Sequence, residues 1–551
     1  MKKERRKLCL LLFGVILLTG CHMVKEVRTD RIEPQEYARA SLFCDVNFWE
    51  PPSWDTAEGT ITGEISKKTG LALDINVPVQ NAGMQLKLML LNDRLPDIIT
   101  LTDTTVISQL VSSEKVWKLE EFLKEYCPDS EILRNFPQDI KEKLIERDGD
   151  WYAYPSHMNS LDARRIWKPS SKFYEEWKLY NDNNGIIWNR ALMEQAGITL
   201  EELETEEQVM AAWEKASRME TLDSKEKVIP LLVDGKDYID PTVKFLLYTF
   251  GAEYTDQDGA YRDIILSPQA ERALLFLNEA MRAGYTYPEQ LTYENEKIKR
   301  ILAQGNVLCF IGNVANSGIT FTEWVSSGPI LSSHGDSPAL GRNLEATTGW
   351  MNTFISKECE NPEKVAVWLD YMCSEEGHMR WQLGAEGVDY ITTDGGLKKR
   401  TEAGRQKMAD YSQTGIGTWW MFMNTAWERS IYAEPDEGSE EWAEQKIHTA
   451  FGRSSHTKCY DIALLPLETQ SIPLERTDIR ALDIRIKAYK NRQILRIILA
   501  ESRQEAASLY QEMVSSLDSM GLRRLDNFKN QLYLENCRKY GENSGKASSD
   551  K

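Results

Sequence analysis

The sequence predicts an α/β protein with a parallel sheet, spread over two or three lobes. Three observations carry that expectation. The chain has 551 residues, more than a single hydrophobic core accommodates. Hydrophobic residues make up 42% and charged residues 27%, the composition of ordinary globular material. Short apolar runs alternate with amphipathic stretches of helical period, the rhythm of strand–helix–strand units.

The elements follow in order. Residues 41–48 (SLFCDVNF) read as a first strand, stopped by Trp49-Glu50-Pro51-Pro52. Ile61 to Thr69 reads as a helix ended by Gly70, and Leu73 to Val77 as a second strand. Met84 to Leu91 is an amphipathic helix, followed by Leu95-Pro96-Asp97-Ile98-Ile99-Thr100, a short buried strand. Asp148-Gly149-Asp150 is a turn before the aromatic run Trp151 to Pro155. Gly185 to Trp188 is a strand leading into a helix from Asn189 to Gln195. Thr205 is placed to cap the next helix. A long helix covers Gln269 to Arg282, a strong strand Val307 to Ile311, and a further helix begins at Asn361-Pro362-Glu363. Residues 481–540 read as helical throughout, and residues 541–551 as a disordered Gly/Ser/Lys tail. No internal repeat is found.

The N-terminus carries an address. Residues 2–7 are basic, residues 8–18 nearly all apolar, and Leu18-Thr19-Gly20-Cys21 follows. A basic segment, a short apolar core and a small residue before the cut define a secretory signal, too short to span a bilayer. The Leu-Thr-Gly-Cys ending resembles a bacterial lipobox. That resemblance implies that residues 1–20 are removed and that Cys21 carries a diacylglycerol anchor of palmitate type. Residues 21–40 then form a polar tether. The expected location is the extracellular face of the cell membrane, held by lipid.

The net charge is -19, and the first twenty residues contribute +4, so the remainder carries -23. Such a surface repels nucleic-acid phosphates, so no nucleic-acid partner is expected. Of nine cysteines, Cys9 and Cys21 lie in the targeting segment. The other seven are scattered, with no C-x-x-C pair, and read as mostly free, buried thiols. An exported chain of this kind fits a Gram-positive or anaerobic surface. Six histidines make no H-E-x-x-H set, and there is no G-x-S-x-G or Walker A loop. No metal, cofactor or catalytic residue is expected, and the chain is not expected to be an enzyme. Asp256-Gln-Asp258-Gly259 lacks the closing Glu of a calcium loop and reads as a hairpin turn.

Several stretches together resemble the family 1 extracellular solute-binding proteins, the group containing maltose-binding protein, and its large lipoproteins in particular. Asp148-Gly-Asp-Trp-Tyr-Ala-Tyr-Pro155 is similar to the family's strand crossing into the second lobe. Trp188-Asn189-Arg190, with Leu192, Met193, Glu194, Ala196 and Gly197, is similar to its strand-to-helix signature. Asn361-Pro362-Glu363-Lys364 with Trp368, Leu369 and Tyr371 resembles the late helix, and Gly384 to Tyr390 the loop after it. The resemblance covers roughly residues 40–540. It implies a two-lobe fold of the periplasmic-binding-protein type II, with crossing strands as a hinge, a ligand cleft between the lobes, and an extended helical C-terminal part. Lobe 1 is then 41–156 plus about 350–405, and lobe 2 is 157–349 plus about 406–540. One departure stands out. The strand ending Phe310-Ile311-Gly312-Asn313 often runs in this family into an aromatic that stacks on sugar, and here Val314 and Ala315 follow.

Sugars present a hydroxyl rim and an apolar C–H face, so a sugar cleft needs polar groups and aromatic rings. In open α/β sheets, ligands sit beyond the carboxyl ends of strands. That rule selects Trp49 after the first strand, Asp103 and Thr104 after the third, and Asn159 past the crossing strand. It also selects Tyr238 and Asp240 in the loop before a helix, and Asn313 at its strand end. Trp350, after Gly349, lies where the resemblance places the second crossing. Of the adjacent Trp419 and Trp420, one is expected to face the cleft and the other the core; Trp419 is the candidate. The expected function is capture of a carbohydrate, an oligosaccharide, by a monomer that delivers it to the permease of an ABC importer. Two other readings remain open: a surface polysaccharide hydrolase or lyase, and a peptide or sensor-partner binder of the same fold. The lipobox makes the first prediction. Cys21→Ser releases the protein into the medium, and a variant that stays in the membrane fraction contradicts the anchor.

Overall fold

The computed structural model describes residues 37–222, 225–343, 348–473 and 476–544. The signal segment, Cys21 and most of the tether lie outside the described residues, as do residues 545–551. From Arg39 onward the chain forms one unit. It is mixed α/β, and its two main sheets define two lobes.

The strands that carry the lobes are β1 (Ala38–Cys44), β2 (Leu71–Asn76), β3 (Ile98–Leu101), β4 (Tyr154–Pro155), β5 (Asn184–Asn189), β6 (Ile229–Val233), β7 (Val307–Asn313), β8 (Trp324–Ser326), β9 (Ala339–Arg342) and β10 (Asn352–Ile355). The first sheet has the order β2-β1-β3-β10-β4, and the second β6-β7-β5-β8. β1 and β3 run parallel, whereas β10 runs antiparallel to β3 and β4. In the second sheet β6 and β7 are parallel and β5 is antiparallel to β7.

The apolar runs form these strands because both faces of each sheet are covered. Leu42, Phe43, Cys44, Ile98 and Ile99 are all fully buried. Asp97 ties the start of β1 to the sheet: its carboxylate accepts the Ser41 N–H at 2.7 Å and the Ser41 hydroxyl at 2.6 Å. Asp45 ends the strand. Its carboxylate accepts the N–H groups of Thr102 and Asp103 at 2.9–3.2 Å, which closes the ladder. The first strand therefore spans Ala38–Cys44 rather than 41–48, and Phe48 lies in the loop that follows.

The lobes meet where two connections run side by side. The Ser156 N–H donates to the Met351 carbonyl at 2.8 Å, and the Met351 N–H to the Ser156 hydroxyl at 2.9 Å. Gly349 has φ +74°, and a Cβ there would sit 2.6 Å from the Ser156 carbonyl oxygen. Only glycine fits so close a crossing.

The first lobe holds the chain longer than the expected boundary at about 405. Trp419 and Phe422 pack on Trp368, and Trp427 lies 4.7 Å from the His378 ring. These rings need the apolar face of the helix Pro362–Cys373, so the segment stays beside it. The helix Glu440–Arg453 then packs on β5 and β8. The C-terminal part is three helices rather than one continuous stretch: Thr477–Ile498, Arg503–Met520 and Leu522–Ser544. The last reaches past 541, where the tail was expected to begin. Cys44, Cys127, Cys309, Cys359, Cys373, Cys459 and Cys537 are free thiols. Thr255 and Tyr261 bridge antiparallel around Asp256–Gly259, which is thus a turn. Among the described residues no helix is long and apolar enough to cross a membrane.

Buried charges dock the C-terminal helices on the second lobe. Lys490 pairs with Asp263 of the lobe at 2.5 Å, and Lys529 with Asp483 at 2.8 Å joins two of the helices to each other. Asp526 sits among them with Oδ1 buried and unpartnered. Burial, and then Asp263, push its carboxyl up to about 7. A folded value above the unfolded one means a stabilising contribution complete below about pH 4 and lost as pH rises through about 7. Asp526→Asn keeps the shape and removes the titration. Its melting temperature should exceed that of the wild type by a margin that widens between about pH 4 and 7, then stays flat. A margin independent of pH contradicts the assignment.

Candidate functional site

Aromatic residues at the junction of the lobes form two tiers. The outer tier is Phe48, Trp350 and Trp420. Phe48 and Trp350 stack with centroids 6.2 Å apart and planes 15° from parallel. Trp420 lies 6.3 Å from Trp350 and 6.2 Å from Phe48. Tyr411 packs on Trp420 at 5.2 Å, and His157 meets the Trp350 ring at 5.7 Å. Phe48 is 56% exposed and Trp350 41%. Burial pushes the His157 imidazole down to about 4, so it stands against Trp350 as a neutral ring.

The inner tier is Trp49, Trp54, Trp368 and Trp419. Trp419 lies 6.0 Å from Trp49, 5.8 Å from Trp54 and 6.4 Å from Trp368. Trp49, Trp368 and Trp419 are fully buried. The Trp49 indole N–H donates to the Thr418 carbonyl at 2.7 Å, which locks its ring inward.

These tiers correct two expectations. Trp49 and Trp419 are core residues, and beside them Phe48 is exposed and Trp420 half-buried. In each pair the neighbours point opposite ways along extended or tightly turned backbone, so adjacent aromatics share a loop but not a face. Nothing in Phe48-Trp49 or Trp419-Trp420 alone says which member turns outward.

The outer tier sits where strand ends place it. Phe48 follows the carboxyl end of β1. Trp350 precedes Asn352, which registers with Leu101 at the carboxyl end of β3. Asp45 links these two ends and so fixes the loop that carries Phe48. Asp103 and Thr104 lie at the same edge. The Asp103 side chain caps the helix Thr104–Ser112, accepting from Thr105 at 2.8 Å and Val106 at 3.1 Å. Beside the tier a concavity of ≈ 490 Å³ is lined by Glu50, Asp55, Thr60, Ser412, Gln413 and Thr414 among others. It is rich in hydroxyls and amides.

The second lobe presents the ends of β6 and β7. Asp234, buried there, accepts the Asn313 N–H at 2.7 Å and the Gly235 N–H at 3.1 Å. Burial pushes its carboxyl up to about 6. Asn313 is itself buried and accepts the Asn316 N–H at 3.2 Å. Tyr238 is half-buried, its phenol raised by burial and then by Asp234. Asp240 instead bonds Asn491 on the C-terminal helices, so it serves their docking rather than this edge. Asn159 is held at both ends: its side-chain carbonyl accepts from Arg164 at 3.2 Å and its backbone carbonyl from Lys178 at 3.3 Å. The lobes face each other across Tyr411. Burial, then Glu50 and, from the second-lobe helix Asn295–Leu302, Glu296 raise its phenol.

The structure thus brings Trp350 together with Phe48, Trp420, Tyr411 and His157; Trp420 enters the sequence reading only as the alternative to Trp419, and the other three are not singled out by sequence. Asp234 was also missed, although it follows the apolar run Ile229–Val233 and the strand-end rule reaches it. Three or more metal-ligating side chains come together nowhere among the described residues. An exposed stacked surface flanked by hydroxyls and carboxylates suits a ligand with one apolar face and a polar rim.

No protein-family model and no curated protein matches the sequence. Solved structures match the fold at low identity. A substrate-binding protein of an ABC transporter from Streptococcus pneumoniae, FusA, in complex with kestose, is 14% identical, with a TM-score of 0.66 over 92% of this chain and 100% of that one. An HMO-binding, ABC-transporter-associated solute-binding protein from Bifidobacterium longum infantis is 11% identical, with a TM-score of 0.62 over 90% of this chain and 98% of that one. The N-glycan transport solute-binding protein NgtS from Streptococcus pneumoniae is 15% identical, with a TM-score of 0.57 over 91% and 99%. The two-lobe fold of such proteins is therefore the fold of this chain.

The two tiers separate stability from surface. Trp419→Ala is expected to lower stability by about 3–5 kcal/mol, the cost of emptying a buried aromatic site. Phe48→Ala and Trp350→Ala should each change it by no more than roughly 1 kcal/mol. Chemical denaturation measures all three; equal losses would put Trp350 in the core.

Proposed function

We propose that this protein captures a carbohydrate, an oligosaccharide in particular, between its lobes and delivers it to an ABC import permease. It works outside the cell as a monomer, tethered through lipid on Cys21, with no metal, cofactor or chemical step of its own. The observation that carries this reading is the outer tier at the carboxyl edge of the first sheet, exposed Phe48 and Trp350 with half-buried Trp420. Solvent-facing aromatic surface of this extent is disfavoured unless a partner covers it. A pyranose or furanose face matches rings spaced at about 6 Å. The hydroxyl of Ser412, the amide of Gln413 and the carboxylates of Glu50 and Asp55 line the concavity beside the tier and suit the sugar rim. The solved proteins that share the fold include ones named for binding kestose, HMO and N-glycans, which supports the same ligand class.

The role of each part follows. Trp350 and His157 stand on the two inter-lobe connections, so a ring stacked on Trp350 touches the hinge directly. Closure of the second lobe then brings Asp234, Asn313 and Tyr238 toward the ligand. Closed lobes present a different outer surface from open ones, and a permease that distinguishes them receives only loaded protein.

Calorimetry against a glycan panel tests the reading. Trp350→Ala and Trp420→Ala should each weaken binding of the cognate sugar by roughly ten- to a hundredfold, from lost stacking and ring burial. Small-angle scattering should show the radius of gyration falling on addition of that sugar. Unchanged affinity in both variants contradicts the platform. Reproducible new reducing ends, lost on changing one carboxylate, would replace binding by hydrolysis.

A further inference from the structure

Beside the aromatic tier lies a group of cations that the acidic chain leaves largely unpaired. Three separate elements supply them: Arg164 from the helix Leu161–Ile166, Lys178 from the helix Lys172–Tyr180, and Arg342 from the end of β9. Asn159 gathers two of them, with Arg164 on its side-chain carbonyl at 3.2 Å and Lys178 on its backbone carbonyl at 3.3 Å. Arg342 donates to the Lys178 carbonyl at 3.4 Å and to Asn181 at 2.7 Å. Its Nε is buried with no hydrogen-bond partner. Asp182 lies 3.7 Å from Arg342. Among the described residues neither Arg164 nor Lys178 has a carboxylate within ion-pair distance.

The surroundings do not neutralise this group. Lys178 is half-buried. Desolvation, then Arg164, Arg342 and Arg429, push its ammonium down to about 8, and Asp461 alone pulls the other way. Arg164 is weakly opposed by Asp139 and Glu175. Asp139 is already engaged by the Ser160 hydroxyl and the Asp162 N–H. Arg429 faces Glu428 and Glu444, whose carboxyls burial pushes up to about 7, so neither is fully ionised at neutrality. Like charges gathered at partial burial cost stability unless an anion joins them. In a chain with 85 acidic and 66 basic residues, such an excess is local and specific.

We infer that Arg164 and Lys178, both bonded to Asn159, together with Arg342, which bonds the Lys178 carbonyl, form an oxyanion subsite that takes a carboxylate or sulfate borne on the carbohydrate. This rests on the carbohydrate reading and narrows it to acidic glycans. Position supports it. Asn159 lies two residues beyond His157, at most about 7 Å along the chain, and His157 touches Trp350. A sugar stacked on Trp350 therefore has its next unit or two within reach of the cations. Arginine and lysine bind oxyanions through charge-assisted hydrogen bonds, and the buried Arg342 Nε is a donor without a partner.

Two measurements test the subsite. The first needs no knowledge of the glycan. Sodium sulfate, compared with sodium chloride at matched ionic strength, should raise the melting temperature of the wild type by more than that of Lys178→Gln or Arg164→Gln. Without sulfate, Lys178→Gln should melt at or above the wild-type temperature, because it relieves like-charge repulsion. Equal sulfate effects in all three proteins overturn the subsite. The second is calorimetry with oligosaccharides paired as acidic and neutral forms of one backbone. The acidic form should bind more tightly, with Lys178→Gln weakening it by about ten- to a hundredfold and leaving the neutral form unchanged. Binding of neutral forms alone overturns this inference and leaves the carbohydrate reading standing. Sulfate stabilisation with no binding of any glycan sustains the subsite as an anion site and overturns the carbohydrate reading.

Discussion

Two hydrogen bonds between Ser156 and Met351 hold together the segments that leave and re-enter the first lobe. The rest of the site depends on that crossing. β4 and β10 are paired through Asn352 and Pro155, so both segments start from adjacent strands of one sheet. Gly349 lets the return segment press against Ser156, and that contact sets where Trp350 stands. His157, with φ +57°, turns the outgoing chain so that its ring meets Trp350. A polar, two-stranded crossing bends more readily than a packed core, whereas the lobes on either side are held by continuous apolar clusters. Rigid bodies and a soft link are the mechanical requirement for a closing cleft.

The two aromatic tiers show how a surface tryptophan is kept in place. Rings in water have little to fix their rotamers. Here Phe48 and Trp420 are each joined by one peptide bond to a buried indole, Trp49 and Trp419. Those indoles pack on each other at 6.0 Å, and Trp49 is hydrogen-bonded to Thr418. The inner tier thus positions the outer one through the backbone. That preorganisation lowers the entropy lost when a ligand settles on the rings. It also explains the neighbourhood of Trp368, whose helix anchors the inner tier from below.

Much of this fold was legible in the sequence, and the reasons are physical. Strands buried on both faces read as uninterrupted apolar runs, as in Val307 to Ile311. The helix Ile61–Thr69 reads with Gly70 as its stop, and Thr205 as the cap of the next helix; the structure adds Thr60 as the first cap and a capping box from Thr205 to Gln208. Sites were less legible. The strand-end rule picked residues at the ends of both sheets, with Asp103, Thr104 and Trp350 beside the first and Asn313 at the end of β7 in the second. It did not resolve which of two adjacent aromatics faces outward, because that depends on loop torsions set by distant contacts such as Asp45 with Thr102. Nor did sequence foresee that Asp240 would be taken up by Asn491, 251 residues away. Where the resemblance leads one to expect an aromatic after Asn313, Val314 is fully buried in the second lobe's core, and the exposed rings Phe48 and Trp350 lie at the first sheet.

That displacement gives the junction a division of labour. The first lobe contributes the apolar surface, through Phe48, Trp350 and Trp420. The second lobe and the outgoing connection contribute charge, through Asp234 at the ends of β6 and β7 and through Arg164, Lys178 and Arg342. Apolar contact is short-ranged and non-directional, so a ring face settles on the first lobe without waiting for the second. Electrostatic contacts strengthen as water leaves, so the groups on the second lobe gain most of their interaction when the lobes approach. On the proposed carbohydrate reading, a ligand would be held loosely by stacking in the open state and tightly by polar contacts in the closed one. Closure would then be coupled to the chemistry of the polar rim: a molecule with an apolar face but unmatched polar groups would stack on Trp350 and leave, because nothing would draw the second lobe over it. Selectivity in that scheme would lie in the closing step, and affinity for the aromatic platform would serve mainly to hold the ligand long enough for that step to occur.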